Sequence, residues 1–249
     1  MQKNVKAIVL AAGRGTRLQS DGCDIPKVMR LAAGKPLLYH VLHALNFIPP
    51  QDTVIVVGYR REQVLSAFPE YVSAIQEEQL GTGHAVMSAY PVLENYDGDL
   101  LVCCGDMPLL KKETYLALLE EHRKSGAACT ILSGPAAYPL PYGRIIRDEN
   151  GSFSAIVEEK DCTPEQRAVT ELNSGVYIFD AKCLASVLGR LQRSNAQGEY
   201  YLTDAPAFML ADGLPVSLCC RDLGLEIIGV NTPEQLAEVE SILSSETYT

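Results

Sequence analysis

Residues 8–17, Ile-Val-Leu-Ala-Ala-Gly-Arg-Gly-Thr-Arg, constrain the fold more than any other segment of the chain. Apolar residues suited to a buried strand run through two alanines into a turn with glycine at 13 and 15. Arg17 closes the turn, and Lys27 follows ten positions later behind Pro26. Glycine lets backbone N–H groups approach a ligand without an intervening Cβ. Arg17 offers a planar fork to phosphate oxygens and Lys27 a point charge. The segment therefore predicts a nucleoside-triphosphate site of an uncommon kind. A Rossmann fingerprint would require Gly or Ala where Leu18 stands, and the Gly-Lys-Ser/Thr of a P-loop occurs nowhere.

An acidic chain that handles a triphosphate must gather positive charge locally or recruit a divalent metal. This chain of 249 residues carries a formal charge of −10, which disfavours nonspecific binding to nucleic acid or anionic membrane. No apolar run approaches the roughly 18 residues of a membrane span, and the first residues lack the regions of a signal peptide. The eight cysteines show no Cys-x-x-Cys and no zinc spacing. Cys103-Cys104 and Cys219-Cys220 are adjacent pairs in strand-like runs, whose side chains point to opposite faces. Reduced, mostly buried cysteines and a cytoplasmic location are the expectation.

Strand-like runs at Ala7–Leu10, Thr53–Val57, Tyr71–Ile75, Leu100–Cys104 and Ala128–Leu132 alternate with helical patterns. The helices fall near Pro36–Leu45, Glu62–Ala67, Thr82–Leu93 and Lys112–Lys124. This alternation predicts an α/β protein, a Rossmann-like mixed, mainly parallel sheet with helices on both faces. Gly13-x-Gly15 and Gly105-Asp106 each lie just past a strand's carboxyl end, so both point at one crevice. From Pro135 the texture changes. Pro135, Pro139, Pro141 and Gly143 break the pattern, and Arg144–Arg147 with Phe153–Glu158 read as a hairpin around Glu149-Asn150-Gly151. A strand at Val176–Phe179, a helix from Ala181, a helical stretch Asp204–Leu210, a strand at Pro215–Cys220 and a last helix Pro233–Leu243 follow. The organisation expected is one domain over 1–249. Its first half (about 1–134) handles the nucleotide and its second (about 135–249) forms the other wall of the crevice.

Further strings carry candidate chemistry. In Gln76-Glu-Glu-Gln79-Leu-Gly81-Thr82-Gly83-His84-Ala85 the amides suit the polar edge of a base. Thr82 is a candidate N-cap, although a Gly-Thr-Gly turn also serves purely structural ends. Gly105-Asp106 places a carboxylate at a strand end, suited to Mg²⁺ or to an ordinary turn. Asn231 follows the apolar run Ile227-Ile-Gly-Val, read as another strand, and is either a second oxygen ligand or the cap of the last helix. Gly143, Glu158 and Asn173 lie in turns whose amide, carboxylate and backbone groups suit a hexose, or in ordinary turns around a hairpin with Glu158 a solvated charge. His40 and His43 lack a third ligand and read as packing residues, His122 as solvated, and His84 as support for its loop.

Leu-Ala-Ala-Gly-x-Gly-Thr-Arg followed by Pro-Lys resembles the signature of the sugar-1-phosphate nucleotidyltransferases, a family with the nucleotide-diphospho-sugar transferase fold. The segment from Gln76 to Ala85 resembles the base-reading stretch of their N-acetylglucosamine-1-phosphate uridylyltransferase branch, the N-terminal part of a bacterial bifunctional enzyme. The resemblance spans about Val5 to Leu236. It implies that UTP and N-acetylglucosamine 1-phosphate give UDP-N-acetylglucosamine and pyrophosphate with Mg²⁺ as cofactor. Arg17 and Lys27 would be catalytic, with Ala12, Gly13, Gly15, Gln76, Gln79, Gly81 and Thr82 on the nucleotide. Gly143, Glu158 and Asn173 would hold the sugar, and Asp106 and Asn231 the metal. The segment Asn195–Asp204 also matches the family and is expected to shape the crevice wall, with Asp204 capping a helix.

The sequence departs from the family pattern in a longer Arg17-to-Pro26 stretch, in Cys104 where tyrosine is usual, and in Ser174 where threonine is usual. No hexapeptide repeat of a β-helix acetyltransferase domain occurs. The partners expected are UTP and a sugar 1-phosphate, without nucleic acid or membrane, on a monomer. Transfer to another sugar 1-phosphate such as glucose 1-phosphate, or a silent sugar-nucleotide sensor, are the competing readings.

Overall fold

The computed structural model of the chain describes residues 4–21, 24–136 and 140–245. Pro139 of the sequence reading lies outside them, as do residues 22–23 of the Arg17-to-Pro26 stretch and the side chains of residues 19–21. In chain order the elements are β1 (Val5–Ala11), β2 (Leu31–Ala32), β3 (Lys35–Pro36), α1 (Leu37–Ala44), β4 (Thr53–Val57), α2 (Arg61–Ala67), β5 (Val72–Ile75), α3 (Thr82–Ala89), β6 (Asp99–Cys104) and α4 (Lys112–Ser125). They continue with β7 (Cys129–Pro135), β8 (Arg144–Arg147), β9 (Phe153–Val157), α5 (Pro164–Arg167), β10 (Glu171–Asp180), α6 (Ala181–Leu188), α7 (Ala205–Ala211), β11 (Val216–Cys220) and α8 (Pro233–Leu243).

One sheet carries the strands in the order β11-β7-β10-β6-β1-β4-β5, with the β8–β9 hairpin joined to β10. β1 lies parallel to both β4 and β6, β5 parallel to β4, and β11 parallel to β7. β10 runs antiparallel between β6 and β7, which makes the sheet mixed but mainly parallel, as predicted. Alternation along β1 decides the layering. Ala7, Val9 and Ala11 join one apolar cluster with residues of α1, α2 and α4, while Ile8 joins the other with residues of α3, α6 and α7. The helices thus cover both faces, and the central strands are apolar on both sides.

The chain leaves β1 toward β4 and β5 on one side and returns to β6 on the other. The crevice opens at this reversal, beyond the carboxyl ends of β1 and β6. β10 runs the other way, so its first residues reach the same end. There the β10–β7 register shifts between Asn173 and Val176, with Gly175 left-handed at φ +76°. Ser174 holds this bulge, donating to the Leu132 carbonyl (2.8 Å) and accepting from Val176 N (3.3 Å). The serine that departs from the family pattern is therefore a backbone support.

Four expectations need correction. Residues 227–230 form no strand: a 3-10 turn (Gly224–Ile227) leads into extended chain, with Ile228 and Val230 buried beside Leu18, Leu37 and Val239 of α8. Apolar character there serves that small cluster, and not a sheet. His122 is buried, with Nδ1 2.9 Å from Thr130 Oγ1 and Nε2 3.8 Å from the buried Asp99 carboxylate. Its position on the inner face of α4 outweighs its polarity. The cap of α3 is Gly81, and Thr82 is the first helical residue. Asp204 occupies the position before α7 but makes no side-chain cap.

Candidate functional site

The opening turn delivers its basic residues to the end of β6. Gly15 is left-handed at φ +65°, and a Cβ there would lie 2.6 Å from Lys27 Cβ, so the lysine stem crosses directly over the glycine. The Lys27 ammonium donates to Asp106 Oδ2 and, at 3.0 Å, to Asn231 Oδ1. Lys27 thus reaches both Asp106 and Asn231. Arg17 is exposed at the rim, 3.4 Å from the same Asn231 oxygen. Four residues from positions 17, 27, 106 and 231 therefore meet at one point.

The alternative roles of Asp106 and Asn231 separate here. Thr232, not Asn231, caps α8: its hydroxyl accepts from Gln235 N, while Gln235 Oε1 accepts from Thr232 N and from Asn231 N (2.8 Å). The Asn231 amide is left to face Lys27 and Arg17. The Asp106 carbonyl accepts from Val230 N (2.9 Å), which ties the two segments together and leaves its carboxylate for Lys27.

On one side of this point lies a cavity of about 270 Å³ lined by Ala12, Gly13, Lys27, Gln76, Gln79, Gly81, Thr82 and Glu199 among others. Among the described residues, no atom beyond its chain neighbours comes within 4 Å of a Cβ placed on Gly13. Gln76 is buried, its Nε2 3.1 Å from both the Gly81 carbonyl and His84 Nδ1, and Gln79 Nε2 donates to the Gln76 carbonyl (3.2 Å). His84 supports the loop through that contact. Gly81, at φ +108°, has no room for a Cβ because the Tyr200 carbonyl would lie 2.6 Å away. Gly83 N donates to that carbonyl, and Thr82 Oγ1 accepts from Leu202 N (3.0 Å). Residues 199–202 thus clamp the glycine loop and form a wall of the crevice.

On the other side a cavity of about 180 Å³ is lined by Gly143, Glu158 and Asn173, together with Tyr142, Tyr177 and Thr203. The two cavities share Leu10, Thr82, Cys104 and Asp106 as a common wall. Asn173 Nδ2 donates to Tyr177 Oη (2.7 Å), and its Oδ1 accepts from Gly175 N (3.2 Å). Burial holds the Tyr177 phenol well above its usual range, so it stays neutral. Glu158 accepts from Thr203 Oγ1 (3.0 Å). Desolvation raises its pKa, the Thr203 bond lowers it, and Asp204, Asp161 and Glu199 raise it further. Glu158 is no solvated surface charge. Burial also pushes the Cys104 thiol up, and it lies protonated between the two cavities.

Sequence reasoning missed Tyr142 and Tyr177, whereas Glu199 and Thr203 fall in the Asn195–Asp204 segment expected to shape the wall. Tyr142 adjoins the Gly143-Arg144 pair already singled out. Tyr177 is reached only across the bulge, which no local pattern reveals. The histidines offer no metal site: His40 pairs with the Ala32 carbonyl (2.8 Å), and His43 stacks on Tyr39. Among the described residues no cluster of three His, Cys, Asp or Glu could hold a metal. No helix is long and apolar enough to cross a membrane among the described residues. A cavity of about 530 Å³ lies away from the crevice, where Asp99 pairs with Arg123 (2.9 Å).

A family model described as the MobA-like NTP transferase domain matches residues 7–197. The bifunctional protein GlmU of Thermobifida fusca is 46% identical over 246 residues, covering 96% of this chain and 50% of that protein. GlmU of Geobacillus thermodenitrificans is 44% identical over 240 residues, covering 95% of this chain and 51% of its own length. The chain spans about half the length of these relatives. A Bacillus anthracis protein assigned as a glucose-1-phosphate thymidylyltransferase, solved in complex with sucrose, superposes with a TM-score of 0.72 at 19% identity. The match covers 96% of this chain and 94% of that one, and it shows a shared fold.

Proposed function

Because the chain belongs to the family of MobA-like NTP transferase domains, we propose that it transfers the uridylyl group of UTP to N-acetylglucosamine 1-phosphate, releasing pyrophosphate. The observation that carries this reading is the convergence of Lys27, Arg17, Asp106 and Asn231 between two adjoining cavities. One cavity carries the amides and glycines suited to a base and triphosphate. The other carries the carboxylate, amide and backbone groups suited to an amino sugar.

An oxygen of the sugar phosphate attacks the α-phosphorus of UTP. A new P–O bond forms, the α–β phosphoanhydride breaks, and pyrophosphate leaves with the electron pair. The attacking oxygen is already anionic at neutral pH, so no general base is required. The barrier lies in bringing two polyanions together and stabilising the departing charge, so positioning and electrostatics carry the catalysis. Gly13 and Gly15 let the backbone approach the phosphates. Lys27 bridges the α-phosphate and the sugar phosphate, and Arg17 stabilises the leaving group from the rim. Gln76 and Gly81 read uracil beside Ala12, while Gln79 and Thr82 hold their loop. Gly143, Glu158 and Asn173 seat the sugar.

The oxygen donors fit Mg²⁺, since Asp106 and Asn231 already reach a single cation together, the Lys27 ammonium. A hard divalent ion accepts one carboxylate and one amide oxygen and takes its other ligands from phosphate and water. Bound there, it would neutralise phosphate charge that Lys27 and Arg17 alone leave uncompensated.

The test is a coupled pyrophosphate-release assay with UTP, Mg²⁺ and a panel of sugar 1-phosphates. Turnover with N-acetylglucosamine 1-phosphate well above glucose 1-phosphate, abolished by chelation, is expected. Turnover undiminished by chelation would remove the roles of Asp106 and Asn231, and none with any sugar would favour a silent sensor.

A further inference from the structure

The loop that carries Asn231 is pinned from both sides of the crevice. Val230 N donates to the carbonyl of Asp106, at the end of β6. One residue earlier, Gly229 N donates to the Tyr142 hydroxyl at 2.8 Å, across 87 positions of sequence. Tyr142 belongs to the wall of the sugar cavity and directly precedes Gly143. Its own backbone is held in turn. The buried Arg144 guanidinium donates to the Tyr142 carbonyl, and the Gly143 carbonyl accepts from Asn173 N (2.8 Å). Contact at Gly229 is close enough that a Cβ there would lie 2.9 Å from Tyr142 Oη. Glycine at 229 lets the phenol reach the backbone.

From these contacts we infer that Tyr142 is a positioning residue whose hydroxyl couples the sugar cavity to the Asn231 loop. Seating of a sugar phosphate against Gly143 and Asn173 fixes the Tyr142 ring, and the ring fixes the chain that presents the Asn231 amide. By linkage, acceptor and cation then strengthen each other's binding. Tyr142 itself touches neither reacting phosphate in this account. The inference rests on the uridylyltransfer reading and adds a route by which one half of the site senses the other.

The variants Tyr142→Phe and Gly229→Ala attack the same contact from opposite sides. Phenylalanine keeps the ring and loses the oxygen, and alanine at 229 forces the two apart. Mn²⁺ affinity, read by electron paramagnetic resonance in the presence of UTP, is measured with and without N-acetylglucosamine 1-phosphate. In the wild type the sugar phosphate should tighten Mn²⁺ at least tenfold. In either variant that gain should fall below about threefold, with kcat lowered and KM for UTP unchanged. The double variant should be no worse than the worse single one, because the two remove one interaction. A gain retained in Tyr142→Phe, or losses in the two variants that simply add, would overturn the coupling. A drop in melting temperature with the gain intact would mark a merely structural contact and overturn it as well. Failure of the wild type to bind Mn²⁺ with UTP would instead strike at the metal and nucleotide reading itself.

Discussion

The Lys27 ammonium lies against the Asp106 carboxylate, with both side chains only 15% exposed. Lys27 therefore occupies the ligands that a divalent cation would use, and such a cation must compete with it. Breaking a partly buried pair leaves a charge without its partner, which is costly unless a new counter-charge arrives. In the proposed reaction, triphosphate would supply that counter-charge to the lysine and free Asp106 for metal. Nucleotide-free protein should consequently bind Mn²⁺ weakly, and Lys27→Met should bind it at least ~10-fold more tightly, a difference of about 1.4 kcal/mol. Titration of both proteins by paramagnetic resonance without nucleotide decides the point. Equal affinities would show that the lysine does not withhold the ligands.

Two neighbouring glycines separate a ligand role from a packing role. Among the described residues, no atom beyond its chain neighbours lies within 4 Å of a Cβ added to Gly13, whereas Gly15 is left-handed and would collide with Lys27. Gly13→Ala should melt within about 1–2 °C of the wild type, as an unobstructed substitution of roughly 0.5 kcal/mol or less does. It should nonetheless raise KM for UTP by about 10-fold or more, because the methyl group stands where phosphate must approach. Gly15→Ala should lose both stability and rate, with ~1–2 kcal/mol coming from the left-handed backbone alone. Thermal melts and UTP kinetics on the pair check this, and an unchanged KM in Gly13→Ala would contradict the cradle.

Arg17 is exposed and makes one long contact to Asn231, so its removal should hardly affect folding. Loss of one preorganised contact to transferring phosphate typically costs about 10²–10³ in kcat. Arg17→Ala should show that loss with a melting temperature close to the wild type. A parallel fall in both would assign Arg17 to structure.

Glu158 gives the protein a pH dependence of definite sign. Desolvation raises its pKa in the folded state above the unfolded value, so the folded protein holds this proton to higher pH. Ionised Glu158 therefore costs stability above that interval, and the cost disappears as pH falls below the unfolded value, about 4.3. Glu158→Gln preserves the Thr203 contact without the charge. It should melt higher than the wild type at pH 8, with the difference narrowing toward pH 4, while KM for the sugar phosphate rises. A stability difference independent of pH would contradict the assignment.

The legible parts of the fold were those set by local pattern. The last helix is bounded as expected at Pro233–Leu243 because Thr232-Pro-Glu-Gln235 carries its own capping box. Apolar strand runs alternating with helical patterns made the parallel core readable, as did the turns that leave β1 and β6. What escaped depended on distant partners. β10 runs from Glu171 to Asp180, longer than the Val176–Phe179 run, because β7 and the hairpin pair with its first residues across a bulge. Ile228 and Val230 have the composition of a strand, yet Val230 N bonds to Asp106 and both side chains pack under α8. The candidate site residues were readable as motifs, whereas the finding that Thr232 and not Asn231 caps α8 needed the geometry of Gln235.

A crystal structure with UDP-N-acetylglucosamine tests the central claim most directly. Uracil should lie against Gln76 and Gly81, the diphosphate beside Lys27 and Arg17, and the amino sugar among Gly143, Glu158 and Asn173. Density for the nucleotide in the larger cavity beside Asp99 and Arg123, with the crevice at Asp106 empty, would contradict it.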